Sequence, residues 1–180
     1  MHLLTVPGIF DSGPDHWQTL WEQVPGRVTR RFAPSSWDEP EARDWVAAVE
    51  RELADLGPDT LVVAHSMGCL ASAHVAATTG GFRGVVLVAP PDLHDPAFPP
   101  EARGFEELVP APLRVPGLLI TSSDDHYGTP SAYARLAAAW DVPHLDLGPL
   151  GHINAESGLG AWDEGWRLVT AFAAGTRRPA

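Results

Sequence analysis

The stretch Leu61-Val62-Val63-Ala64 is an uninterrupted apolar run that passes without a linker through His65-Ser66-Met67-Gly68 into a small-residue segment closing at Gly80-Gly81. A strand apolar on both faces has no solvated side, so it belongs inside a parallel sheet with helices above and below. The pattern recurs along the chain. Leu3–Val6, Val28–Phe32, Thr60–Ala64, Val85–Ala89, Gly117–Thr121 and His144–Leu147 read as strands. Between and after them, His16–Val24, Pro40–Leu56, Met67–Thr79, Ser131–Trp140 and Ala161–Ala173 read as helices. Trp17, Leu20 and Trp21 share one stripe of the first helix, and Trp45, Val49, Leu53 and Leu56 one stripe of the second. Alternating strands and helices predict a doubly wound α/β fold, a mostly parallel sheet of about six strands with helices on both faces. Residues 1–175 are expected to form one domain, with Thr176–Ala180 a frayed basic tail.

Such sheets place ligand sites in the loops after the carboxyl ends of their strands, so those loops carry the argument. The strand Thr60–Ala64 ends at Ser66, on a strand-to-helix turn that holds a hydroxyl clear of the sheet. The usual pattern there is G-x-S-x-G, and this chain has Ala64-His65-Ser66-Met67-Gly68, with alanine in place of the first glycine. A serine there can also simply cap the next helix. The strand Gly117–Thr121 runs into Ser122-Ser123-Asp124-Asp125, and His144–Leu147 into Gly148-Pro149-Leu150-Gly151-His152. Serine, acid and histidine therefore each lie in the loop after their own strand, on one edge of the sheet, in the order a serine nucleophile needs. His152 would take the serine proton, and an aspartate at 124 or 125 would hold the imidazole tautomer. The oxyanion would fall to backbone amides, Met67 after the serine and Ile9 after Pro7-Gly8.

Val6-Pro7-Gly8-Ile9, Ser12–Gln18, Ala64–Gly68, Ser123–Tyr127 and Gly151–Gly158 together resemble the retinoblastoma-binding-protein-nine-like serine hydrolases, a compact branch of the α/β-hydrolases. The resemblance spans nearly the whole chain. It implies an α/β-hydrolase fold with a minimal cap and an esterase-like activity. It also favours Asp125 as the acid, because the family's aspartate precedes a residue pair ending in Tyr or Phe, here His126-Tyr127. Histidine at 126 stands where proline is frequent, which keeps Asp124 as the alternative.

Composition removes other chemistries. The chain has no lysine, so Schiff-base catalysis, pyridoxal anchoring, a Walker phosphate loop and a Ser-Lys dyad all lack their amine. A formal net charge of −11 argues against nucleic-acid and anionic-membrane partners. Cys69 is the only cysteine, and the adjacent Asp124, Asp125 and His126 lack metal-ligand spacing, so neither cofactor nor metal is expected. The first residues lack a basic leader, and a cytoplasmic protein is the default expectation.

The expected reaction is hydrolysis of a small carboxylic ester, or a thioester or amide, through an acyl-Ser66 intermediate. A same-scaffold acyltransferase or amidase, or a binding module with incidental activity, are the alternatives. His65 is expected to pack or hydrogen-bond away from the turn, Trp17 to lie in the core, and Cys69 to be a buried thiol. His16 stays open between pocket and scaffold. Phe98 and Phe105, in the proline-rich stretch from Pro90 to Pro116, are expected to cap the site.

Overall fold

A computed structural model describes residues 1–95, 98 and 100–176. Six strands, β1 (His2–Val6), β2 (Thr29–Arg31), β3 (Thr60–His65), β4 (Gly84–Val88), β5 (Gly117–Thr121) and β6 (His144–Asp146), form one sheet in the order β2-β1-β3-β4-β5-β6. Every ladder is parallel. The helices are α1 (Trp17–Glu22), α2 (Ala42–Leu56), α3 (Met67–Thr78), α4 (Pro130–Trp140) and α5 (Asp163–Gly175). This is the parallel, doubly wound sheet expected from the strand pattern, and the α/β-hydrolase fold that the resemblance implied.

Alternation along each strand assigns the two faces. Leu4, Val6, Val62, Ala64, Val85, Leu87 and Leu119 pack with Trp45, Tyr133 and Trp140 from α2 and α4 and with most of α3. Leu3, Leu61, Val63, Val86, Val88 and Ile120 pack instead with Trp17 and Trp21 of α1 and Val169 and Ala173 of α5. Both faces are apolar and covered, which is why the strands read as continuous runs. Helix α3 lies under this cover with nine of its twelve residues buried, so its small residues follow from crowding on all sides. Local signals end the helices: Gly57 closes α2 at φ +81°, while Thr129 caps α4 with Pro130 at its first turn.

The proline-rich segment differs from expectation. Pro100–Glu107 is a 3-10 helix, and Phe105 is fully buried against Trp45 in the larger core cluster, where Phe98 also lies. Both aromatics are core residues and not a cap. Enclosed in this cluster, their apolar rings are removed from water more completely than they would be over an open site. The expected tail lies, beyond Thr176, outside the described residues.

Candidate active site

Ser66 stands between β3 and α3 at φ 53° and ψ −128°, a left-handed backbone that L residues adopt at a cost of about 1–3 kcal/mol. It occupies the N-cap position of α3, yet its side chain makes no capping hydrogen bond. Its hydroxyl lies 2.9 Å from His152 Nε2 instead. Close packing fixes the turn. A Cβ on Gly68 would come within 2.3 Å of the Val6 carbonyl oxygen and 2.4 Å of that of Pro7, and one on Gly8 within 2.8 Å of Ser66 Cβ. Ala64, by contrast, sends its methyl into the core. The glycine after the serine is therefore obligatory here, while the position before it has room for alanine.

Asp125 follows β5, is buried, and faces the other side of the same imidazole. His152 Nδ1 lies 2.9 Å from Oδ2 and 3.0 Å from Oδ1. Asp125 also accepts from the Tyr127 amide at 3.0 Å and the Tyr133 hydroxyl at 2.7 Å. Asp124 points elsewhere. It accepts from Ser122 Oγ at 2.8 Å and from the Gly151 amide at 2.7 Å, bonds that hold its pKa below the ordinary carboxylate value. The structure thus brings Ser66, His152 and Asp125 into one hydrogen-bonded row. Asp124 instead braces the loop that carries His152.

That loop is held by further side chains whose part the sequence left undefined. His65 Nε2–H donates to the His152 carbonyl at 2.9 Å, and Trp17 Nε1–H to the next carbonyl, Ile153, at 2.8 Å. Burial keeps His65 uncharged by pushing its pKa well below the ordinary imidazole value, with the nearby His152 and His16 acting in the same direction. The Nε2 proton must then face the carbonyl, since a carbonyl only accepts. Ile153 itself has φ +48°, unusual for a β-branched residue. Two captured carbonyls in succession hold that conformation.

The opposite wall is the loop after β1. Arg31 binds Asp11 Oδ1 at 2.8 Å and the Ser12 carbonyl at 3.0 Å, while Ser12 Oγ donates to Gln18, whose amide reaches the Val63 carbonyl. This network ties the loop to the sheet. Between the walls is a cavity of about 260 Å³, lined by Ser66, His152, Gly8, Ile9, Phe10, Met67, Pro91 and Tyr127, with His16, Asp11 and Asn154 among its polar residues. Of the two expected oxyanion positions, Met67 begins α3, where amides have no partner within the helix, and Ile9 follows the glycine packed on Ser66. Cys69 is buried and donates weakly to the Val88 carbonyl. Among the described residues no helix is long and apolar enough to cross a membrane.

Fold and site together define an α/β-hydrolase. A sequence profile described as serine hydrolase matches residues 3–171, and the chain belongs to that family. A solved structure described as a YdeN-like hydrolase from Pectobacterium atrosepticum is 32% identical, with a TM-score of 0.86 over 98% of this chain and 92% of the other. The ydeN gene product of B. subtilis superposes at a TM-score of 0.77 with 19% identity, covering 96% of this chain and 98% of its own. A monoacylglycerol lipase of Paleococcus ferrophilus shares the fold at a TM-score of 0.74 with 14% identity, over 96% and 94% of the two chains. No curated protein matches the sequence.

Proposed function

We propose that this chain hydrolyses small carboxylic esters through an acyl-Ser66 intermediate, with His152 as general base and Asp125 as its orienting acid. The observation that carries this reading is the row from Ser66 Oγ through both imidazole nitrogens to Asp125, opening on the cavity. Ser66 Oγ attacks the acyl carbonyl while His152 Nε2 takes its proton, and Asp125 stabilises the imidazolium. The tetrahedral oxyanion is met by the Met67 and Ile9 amides. Collapse breaks the ester bond, and His152 returns the proton to the departing alcohol. Water then attacks the acyl-serine with His152 again taking a proton, releasing the carboxylic acid and free Ser66. At about 260 Å³ the cavity lies just below the ~300–1,000 Å³ typical of drug-sized ligands, which favours short acyl groups.

A fluorophosphonate probe tests the nucleophile: wild type should be labelled at Ser66 and Ser66→Ala should not. Equal labelling of both removes the assignment. A panel of 4-nitrophenyl esters of graded acyl length, run beside aminoacyl amides, tests the substrate class. Short esters should be turned over fastest, and a clear preference for the amides overturns the ester reading.

A further inference from the structure

The two hydrogen bonds of His152 do not by themselves fix the plane of its ring. Rotation about the bond from Cβ to an imidazole is a broad torsion, and hydrogen bonds tolerate about 30° of misalignment. Packing has to choose the plane, and two close rings border it. That of His65, at the end of β3, lies 4.9 Å away between centroids, and that of Tyr127, in the loop after β5, 4.7 Å away with the planes 65° apart. The second contact has the edge-to-face geometry that aromatic pairs favour, near the short end of their ~4.5–7 Å range.

Tyr127 is itself held on both sides of its backbone. Its amide donates to Asp125 Oδ1 at 3.0 Å, and its carbonyl accepts from the Asp92 amide at 2.8 Å. The ring of His126, an exposed residue, lies 4.1 Å from its own. One residue therefore braces the acid of the triad through its backbone and borders the base through its side chain, beside the cavity that both serve.

We propose that Tyr127 is a positioning residue for His152, its ring setting the imidazole plane in which Nε2 meets Ser66 and then the leaving group. The inference rests on the hydrolase reading above. The contact belongs to the ring, so the hydroxyl is dispensable to this role. Alignment matters most while the proton is in transfer, which places the effect in kcat and not in ground-state binding.

Tyr127→Leu and Tyr127→Phe both keep the bonds to Asp125 and Asp92, because those are made by backbone groups. With 4-nitrophenyl acetate, Tyr127→Leu should lower kcat on the order of 5-fold, the worth of one aromatic pair, and leave KM within about 2-fold of wild type. Tyr127→Phe should restore kcat. A proton resonance supplies a reading without substrate. The low-field signal of His152 Nδ1–H, assigned by its loss in Asp125→Asn, should be sharp in wild type and Tyr127→Phe, and broadened in Tyr127→Leu. Equal kcat losses in the two variants, a change confined to KM, or an unaltered resonance in Tyr127→Leu overturns the proposal. Should the variants fail to fold, wild type decides: nuclear Overhauser contacts between the ring protons of Tyr127 and His152 are required, and their absence overturns it. Absent wild-type labelling at Ser66 would instead remove the hydrolase reading itself.

Discussion

Tyr133 donates its phenolic proton to Asp125 Oδ2 at 2.7 Å, the same oxygen that lies 2.9 Å from His152 Nδ1. Burial, and then the bond to Asp125, push the phenol far above its ordinary pKa, so Tyr133 is a permanent donor. Gly128 makes the contact feasible, because a Cβ there would fall 2.5 Å from the Tyr133 oxygen. With the Tyr127 amide on Oδ1, the carboxylate is fixed by groups from both sides.

Tyr133→Phe removes one of those supports and leaves more charge on the face of Asp125 toward His152. Hydrogen bonds to charged groups contribute about 1.5–3 kcal/mol, and a loss of stability toward the lower end is expected in urea titration. The acid limb of the kcat/KM profile should move to higher pH, because the imidazolium is better stabilised. A purely structural role would lower stability and leave that limb in place.

The two aspartates should separate cleanly. Asp125→Asn presents the wrong partner to His152 Nδ1 and is expected to lower kcat on the order of 10⁴-fold. Asp124→Asn retains an oxygen that can accept from Ser122 and Gly151, and should keep most of the turnover. Comparable losses in kcat at both sites would contradict the geometry around His152.

His65→Phe leaves the His152 carbonyl buried without its donor. Unfolding measurements should show a loss of about 1–3 kcal/mol. Fluorophosphonate labelling should slow without stopping, since Ser66 and the His152 ring are both still present. Unchanged stability and unchanged labelling would show that the loop does not need this bond.

His16 should also register in stability against pH. Its folded pKa of about 4 lies below the ordinary 6.5, so between those values the unfolded chain binds the extra proton and acid favours unfolding. The loss between pH 7 and pH 5 comes to about 2 kcal/mol for His16, and His65, displaced in the same direction, adds to it. Wild type should thus lose more stability than His16→Asn over this interval. Parallel curves for the two proteins would mean that His16 charges freely in the folded state.

The turn around Ser66 gives a matched pair. Gly68→Ala drives a methyl into the Val6 and Pro7 carbonyl oxygens and is expected to abolish soluble folding. Ala64→Gly restores the commoner motif but removes a buried methyl and loosens the strand, at about 1 kcal/mol. Its kcat should not rise, a point a simple ester assay can check.

Much of this was legible in the chain because the strongest signals are local. A strand buried on both faces is an unbroken apolar run; β1, β3, β4 and β5 carry such runs and lie within one residue of the expected ends, while the half-exposed edge strands β2 and β6 are shorter than expected. Val28 and Phe32 drop from β2, although the Phe32 amide still reaches the Thr5 carbonyl at 3.0 Å. The loops holding Ser66, Asp125 and His152 follow from topology once the strands are placed. Phe98 and Phe105 were misjudged because a proline-rich segment carries no period to say which way its aromatics face. His65 and Trp17 escaped as supports of the His152 loop for another reason. Their bonds join residues 87 and 136 positions apart, and no spacing pattern announces a backbone carbonyl as a partner. His16 stayed undecided until its Nδ1 was seen to accept the Gln18 amide at the start of α1, in a residue that also borders the cavity.

The outermost strands, β2 and β6, are three residues each, Thr29-Arg30-Arg31 and His144-Leu145-Asp146. A growing fibril or a swapped neighbour needs a long, flat, apolar border to copy, and short borders bearing charge are a known defence. The apolar runs Leu61–Ala64 and Val85–Val88 are sealed between other strands. The order in which the strands are laid down thus keeps the stickiest segments from ever becoming a template once the sheet is complete.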